Sequence, residues 1–202
     1  MKKNLSVLLL TLLPVLAVAT STVPEVLTLH PEVVSLEKRQ AFISHPDWLA
    51  LPLAFGPLEK LRKDLEKKIG KPLQHRGEAH ITIITPPEFS TLSSVFKMQE
   101  IEELMTKYKA LRSPVELECV KKVTATVNKL TEESWFVAVR SKGLLEFRQE
   151  VWRNFVARGG DPESFRWQRW SPHITIGFTS RDLHDEDRVS KTDAPCVYTL
   201  KP

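Results

Sequence analysis

Two short segments carry side chains that can do acid–base chemistry. They are His80-Ile81-Thr82-Ile83, inside Ala79–Thr85, and His173-Ile174-Thr175-Ile176, inside Pro172–Phe178. Residues two apart on a strand point to one face. His80 and Thr82 therefore project together, as do His173 and Thr175, while the four isoleucines turn to the opposite side and can enter a core. An imidazole and a hydroxyl on otherwise apolar strands are costly to bury unless they are satisfied. If the two strands lie side by side across a cleft, each contributes one imidazole and one hydroxyl to a single pocket.

Such a pocket suits a phosphodiester. Imidazole titrates near neutral pH, so one ring can be neutral while the other is protonated. The neutral ring takes a proton from an attacking water or ribose hydroxyl, and the protonated ring gives one to the leaving oxygen. Thr82 and Thr175 can donate hydrogen bonds to the non-bridging phosphoryl oxygens, where negative charge concentrates. This chemistry requires no metal and no cofactor.

Other residues are candidates for the rim of the pocket. Trp167 and Trp170, interleaved with Arg166 and Arg169 just before the second motif, can stack a base and hold a phosphate. Phe178 closes the second motif strand, and His75 and Arg76 precede the first. His184-Asp185-Glu186-Asp187 reads as a solvated acidic loop rather than a cation site. The chain has no His-Glu-x-x-His, Cys-x-x-Cys, Gly-rich phosphate loop or Gly-x-Ser-x-Gly, which removes support for zincin, zinc-ribbon, nucleotide-triphosphatase and α/β-hydrolase readings.

The surrounding pattern is strand, helix, strand, helix, strand, strand, helix, strand, strand. Trp48–Ala54 reads as a strand near an edge, because of Pro52. Leu58, Leu61, Leu65 and Ile69 share one helical face that Gly70 stops. Pro86-Pro87 ends the first motif strand. Ile101, Leu104, Met105 and Tyr108 form a stripe on a helix over 98–109. Val115–Thr126 and Trp135–Val139 read as strands joined by a polar turn at Asn128–Ser134. Leu144, Phe147, Val151 and Phe155 line a helix that Gly159-Gly160 ends. A last strand lies near Cys196–Leu200. Mixed elements without strict alternation indicate an α+β domain with mainly antiparallel sheets.

The amino terminus has the order of a secretory signal: Lys2-Lys3, an apolar run Leu5–Val18, then Ala17-Val18-Ala19. The expected division is a signal peptide over 1–19, a poorly ordered leader or propeptide over 20–39, and one domain over 40–202. Lys38-Arg39 is a dibasic candidate for a second cut. The apolar run is too short for a membrane span, which needs about 20 residues. The expectation is a secreted protein with no membrane attachment after cleavage. In an oxidising compartment Cys119 and Cys196 are equally compatible with a bridge and with two buried thiols. The formal net charge of +4 is compatible with a polyanionic ligand and attracts it weakly.

The paired motifs His80-Ile81-Thr82-Ile83 and His173-Ile174-Thr175-Ile176 resemble those of the 2H phosphoesterase superfamily. That superfamily includes 2′,3′-cyclic nucleotide phosphodiesterases and 2′-5′ RNA ligase-like proteins. The resemblance runs from about Trp48 to Leu200, and Ile84–Phe89 is similar to the eukaryotic branch linked to RNA repair. It implies a bilobal α+β fold of two pseudo-symmetric lobes, with outer helices and a central cleft. It also implies metal-independent catalysis on RNA ends or small nucleotides. His80 and His173 become the acid–base pair, and Thr82 and Thr175 the phosphate ligands. Trp167, Arg169, Trp170 and Phe178 are added as substrate-binding candidates. The resulting expectation is a secreted monomeric phosphodiesterase for 2′,3′-cyclic phosphates or 2′-5′ linkages. The alternatives are a binding protein for nucleotides or RNA ends without turnover, and a secreted ribonuclease.

Overall fold

The computed structural model describes residues 25–39 and 41–201, so the signal-like run and its cleavage signal lie outside the described residues. The chain runs β1 (Val26–Thr28), β2 (Ile43–His45), β3 (Trp48–Pro52), α1 (Phe55–Ile69), β4 (His80–Ile84), α2 (Pro86–Leu92) and α3 (Met98–Lys107). It continues through β5 (Glu116–Val127), β6 (Leu130–Arg140), α4 (Lys142–Ala157), β7 (His173–Phe178) and β8 (Cys196–Lys201). One sheet has the order β1-β8-β5-β6-β7 and the other β2-β3-β4. Every pairing is antiparallel except β1 with β8. The α+β class with mainly antiparallel sheets is thus observed.

The two sheets carry related units. β2 and β3 form a hairpin, α1 follows, and β4 returns beside β3. β5 and β6 form a hairpin, α4 follows, and β7 returns beside β6. The helices form for the expected reason: Leu58, Leu61 and Leu65 of α1, and Leu144, Phe147, Val151 and Phe155 of α4, are buried. Gly70 caps α1 in the left-handed region at φ 69, where a side chain would be strained. One face of α1 departs from a purely solvated surface. Arg62 is buried, pairs with Glu59 and Glu66, and donates to the Leu73 carbonyl at 3.0 Å.

Several boundaries differ from the sequence pattern. Pro86-Pro87 does end β4, but it also opens α2. Thr85 and Glu88 close a reciprocal capping box, and proline at the first turn costs no hydrogen bond. α3 ends before Tyr108, which is exposed rather than in the buried stripe. The β5–β6 turn is only Asn128-Lys129, both at positive φ, so Leu130–Ser134 belongs to β6.

The expected leader over 20–39 is corrected for its described part, 25–39. β1 pairs with β8, and Leu27, Leu29 and Val33 are buried in the main core. The governing pattern there is the two-residue alternation of a strand, exposed Val26, buried Leu27, exposed Thr28, buried Leu29, not a helical period. Arg39 is buried too, donating to the carbonyls of Ser113 at 2.7 Å and Val34 at 2.6 Å. A protease reading Lys38-Arg39 in the folded chain meets an arginine whose guanidinium is already committed. Cys119 and Cys196 form a disulfide between β5 and β8, with Cα atoms 5.8 Å apart. Among the described residues, no helix is long and apolar enough to cross a membrane.

The lobes approach closely at Gly177 in β7. Gln74, ahead of β4, exchanges backbone hydrogen bonds with Phe178 at 2.8 and 2.9 Å. A Cβ at Gly177 would lie 2.8 Å from the Gln74 carbonyl oxygen and 2.9 Å from Leu73 Cβ. Gly177→Ala should therefore lower stability by about 1–3 kcal/mol through overpacking, measured by urea unfolding; an unchanged midpoint would contradict this contact.

Candidate active site

Both motif strands are edges of their sheets, and the two edges contact each other. Their pairing is the same residue for residue. In the first lobe Pro52 opposes His80, Ala50 opposes Thr82, and the register then slips so that Leu49 opposes Ile84. In the second lobe Ala138 opposes His173, Phe136 opposes Thr175, and the same slip puts Trp135 opposite Gly177. The isoleucine after each threonine is therefore the extra residue of a bulge. Ile81, Ile83, Ile174 and Ile176 are buried in the main core, while the histidines and threonines are half-buried. The facing inferred from strand period is observed in both copies.

A buried arginine joins the two units. Arg148 of α4 has no exposed surface and donates to the Ile83 carbonyl at 2.5 Å, inside the first motif. It grips the Glu88 carboxylate at 2.6 and 3.1 Å and gives its Nε hydrogen to the Trp167 carbonyl at 3.2 Å. Its guanidinium lies 5.0 Å from the ring centre of Phe165 and 5.4 Å from that of Trp170. Trp170 in turn donates its indole N–H to the Thr82 carbonyl at 3.0 Å.

The loop before β7 thus supports the motifs. Trp167 and Trp170 are half-buried against the core. Arg169 is exposed, with its backbone N–H on the Arg166 carbonyl, and Arg166 pairs with Glu163. Phe178 is buried beside the Gln74 contact and opposes Ser134. These residues are not gathered with the two histidines by any side-chain hydrogen bond or ring contact among the described residues. His75 stacks on Phe55, and Asp187 pairs with Arg181 and caps His184 N–H, which gives the acidic loop a structural use.

The chain after β7 folds back over the motif face of the sheet. Leu183 packs with Val123 and Phe136 there, and Asp182 and Lys191 become buried. His173 Nδ1 lies 2.8 Å from the Ser171 carbonyl, which can only accept, so Nδ1 carries the proton and Nε2 the lone pair. Lys191 Nζ donates to that Nε2 at 3.1 Å and to Asp182 Oδ1 at 3.3 Å. Thr175 donates to Asp182 Oδ2 at 3.3 Å. Burial first, then the Lys191 ammonium, pushes the His173 imidazole down to about 3. Burial pushes the Asp182 carboxyl up, but Lys191, a hydrogen bond from Ser134 and the nearby histidines hold it below its ordinary value. Lys191 is lowered by burial against the opposing pull of Asp182.

His80 sits differently. Its Nδ1 is buried and 3.4 Å from Glu78, without hydrogen-bond alignment, and its ring tilts against Trp48 at 5.3 Å. Burial lowers its pKa, Glu78 and Asp182 oppose this, and Arg76 adds to it. Arg76 reaches to 3.8 Å from Asp182. Asp182 is therefore the charge that both imidazoles feel, one from each lobe. The sequence pattern marks neither Asp182 nor Lys191. Asp182 looks like the start of a solvated acidic loop, and Lys191 has no motif around it.

The His173 geometry has a direct spectroscopic consequence. Its folded pKa is depressed, so the ring should stay neutral with Nδ1 protonated down to roughly pH 4, one unit above that pKa. Nitrogen-15 spectra of the imidazole check this; a ring that charges near pH 6.5 would contradict the Ser171 and Lys191 contacts.

A family model described as "Swiss Army Knife, 2H phosphoesterase domain" (2H-SAK) matches residues 47–184, a span holding both motifs. No curated protein and no solved structure matches the chain. With two His-x-Thr strands meeting edge to edge inside the matched span, the chain belongs to the 2H phosphoesterases.

Proposed function

We propose that this protein is a phosphodiesterase that opens 2′,3′-cyclic phosphates or cleaves 2′-5′ linkages in nucleotides or RNA ends. His80 and His173 are its acid–base pair, and Thr82 and Thr175 its phosphate ligands. The observation that supports this reading is the meeting of two edge strands with one bulge pattern, each carrying a histidine that feels the charge of Asp182.

The chemistry follows from that arrangement. A phosphoryl group between the strands presents two non-bridging oxygens. The Thr175 hydroxyl, held by a long bond of 3.3 Å to Asp182, can exchange that bond for a phosphoryl oxygen. The Thr82 hydroxyl serves from the other lobe. One imidazole removes a proton from water as it attacks phosphorus, and the other protonates the departing ribose oxygen. Orientation by the fixed strands supplies the rest, because the reacting groups need not be brought together from solution. The Cys119–Cys196 disulfide, a bond that persists in oxidising compartments, supports the reading that the protein works after export.

A panel of 2′,3′-cyclic mononucleotides and 2′-5′ oligonucleotides, with EDTA present and products resolved by chromatography, tests the reading. Turnover should be unaffected by the chelator. His80→Ala and His173→Ala should each lower it by about 100-fold or more, with circular dichroism unchanged. Saturable binding without product would make the protein a nucleotide-binding member, and full activity in His173→Ala would remove the two-histidine mechanism.

A further inference from the structure

Lys191 lies beyond the segment matched to the family, on a loop that no sequence pattern marks. Yet it is 7 % exposed, and its ammonium rests on the one atom of His173 that can exchange a proton with a substrate. A lysine on the surface gains nothing from such a place. Burying an ammonium is costly unless a partner compensates, and the compensation here is Asp182, which also receives the Thr175 hydroxyl. The four groups form one connected set: Thr175, Asp182, Lys191 and His173.

We infer that Lys191 is a catalytic residue of this site. Its ammonium moves from His173 Nε2 to a non-bridging phosphoryl oxygen when substrate binds, and this fixes His173 as the base and His80 as the acid. The inference rests on the phosphodiesterase reading given above. The geometry supplies three reasons. A phosphodiester that reaches Nε2 must meet Nζ in the same place, 3.1 Å away, and phosphate oxygens are better acceptors for an ammonium than a neutral imidazole. Nδ1–H is committed to the Ser171 carbonyl, so His173 arrives with a lone pair on Nε2 and no proton to give from it. Among the described residues His80 has no lysine on its ring; its buried Nδ1 lies 3.4 Å from Glu78, whose charge opposes the lowering that burial imposes on that imidazole.

The step balances. Water adds to phosphorus and its proton passes to His173 Nε2, while the phosphorus–oxygen bond to the ribose 2′ or 3′ oxygen breaks and His80 gives that oxygen a proton. The charges facing His173 are Lys191 and Asp182, with His184 nearby; Arg76 and Asp185 act on it through Lys191 and Asp182. Losing the Lys191 charge therefore lets His173 take a proton at higher pH.

The test is kcat/KM against pH on a 2′,3′-cyclic nucleotide for wild type, Lys191→Met, Lys191→Arg and Lys191→Met/Asp182→Asn. The double variant removes the carboxylate that Lys191→Met alone would leave buried and unpaired, so it keeps the test valid if the single variant does not fold. The folded methionine variants should lose on the order of 100-fold in kcat/KM. The acid limb of their profile should also move up toward the ordinary histidine value of about 6.5. Lys191→Arg should recover part of the rate with its acid limb near that of wild type. Folded methionine variants within about threefold of wild type, with an unmoved limb, would overturn the inference. If wild type turns over nothing, the phosphodiesterase reading fails by itself, and inorganic phosphate then reads Lys191 separately. Its affinity, from His173 nitrogen shifts, should fall by about tenfold or more without the ammonium, and an equal affinity would overturn the role.

Discussion

The Arg148 guanidinium is the contact through which the two halves of the molecule know each other's position. A fully buried cation is tolerated only when its charge and donors are satisfied, since the effective cost of burying it is several kcal/mol. Arg148 meets that condition across the lobe boundary. Its carboxylate partner is Glu88, at the start of α2, and its carbonyl partners are Ile83 in the first motif and Trp167 in the loop before the second. Glu88 is itself fixed by the capping box with Thr85, immediately after β4. One side chain on α4 thus sets the first motif strand, the helix that follows it and the approach to the second motif. Displacing any of these would leave a charge or a carbonyl buried without a partner.

Much of the site was legible in the residues because strand period is a strong constraint. His80 with Thr82, and His173 with Thr175, share faces opposite their isoleucines as a period of two requires. The family resemblance also rests on those residues. The bulge after each threonine was not legible, because it depends on the partners Leu49–Ala50 and Trp135–Phe136 rather than on the motif itself. The same holds for Lys191 and Asp182. They reach His173 because the loop after β7 buries Leu183 against Phe136, a tertiary event with no local signature. The order of residues 25–39 and the helix at Pro86 do have local signatures, the alternation over Val26–Leu29 and the Thr85–Glu88 capping box.

The backbone around the motifs repeats, but the chemistry does not. His80 has Glu78 and Trp48 beside it, while His173 has Lys191, Asp182 and the Ser171 carbonyl. Two histidines in identical settings would titrate alike and compete for the same role. Burial lowers both imidazoles, but the charges beside them differ: Glu78 opposes the lowering at His80 while Lys191 adds to it at His173, the kind of difference that the proposed acid and base would use. The loop after β7, absent from any counterpart after β4, is what breaks the symmetry: β4 runs directly into α2.

Whether the two motifs form one phosphate site is best decided by a crystal structure with a nucleoside 2′,3′-cyclic vanadate, which mimics the phosphoryl group in transit. Both imidazoles and both threonine hydroxyls should lie within hydrogen-bond distance of the vanadate oxygens, one pair from each lobe. Vanadate bound by a single motif, or seated away from both, would contradict the assignment of these strands to one active site.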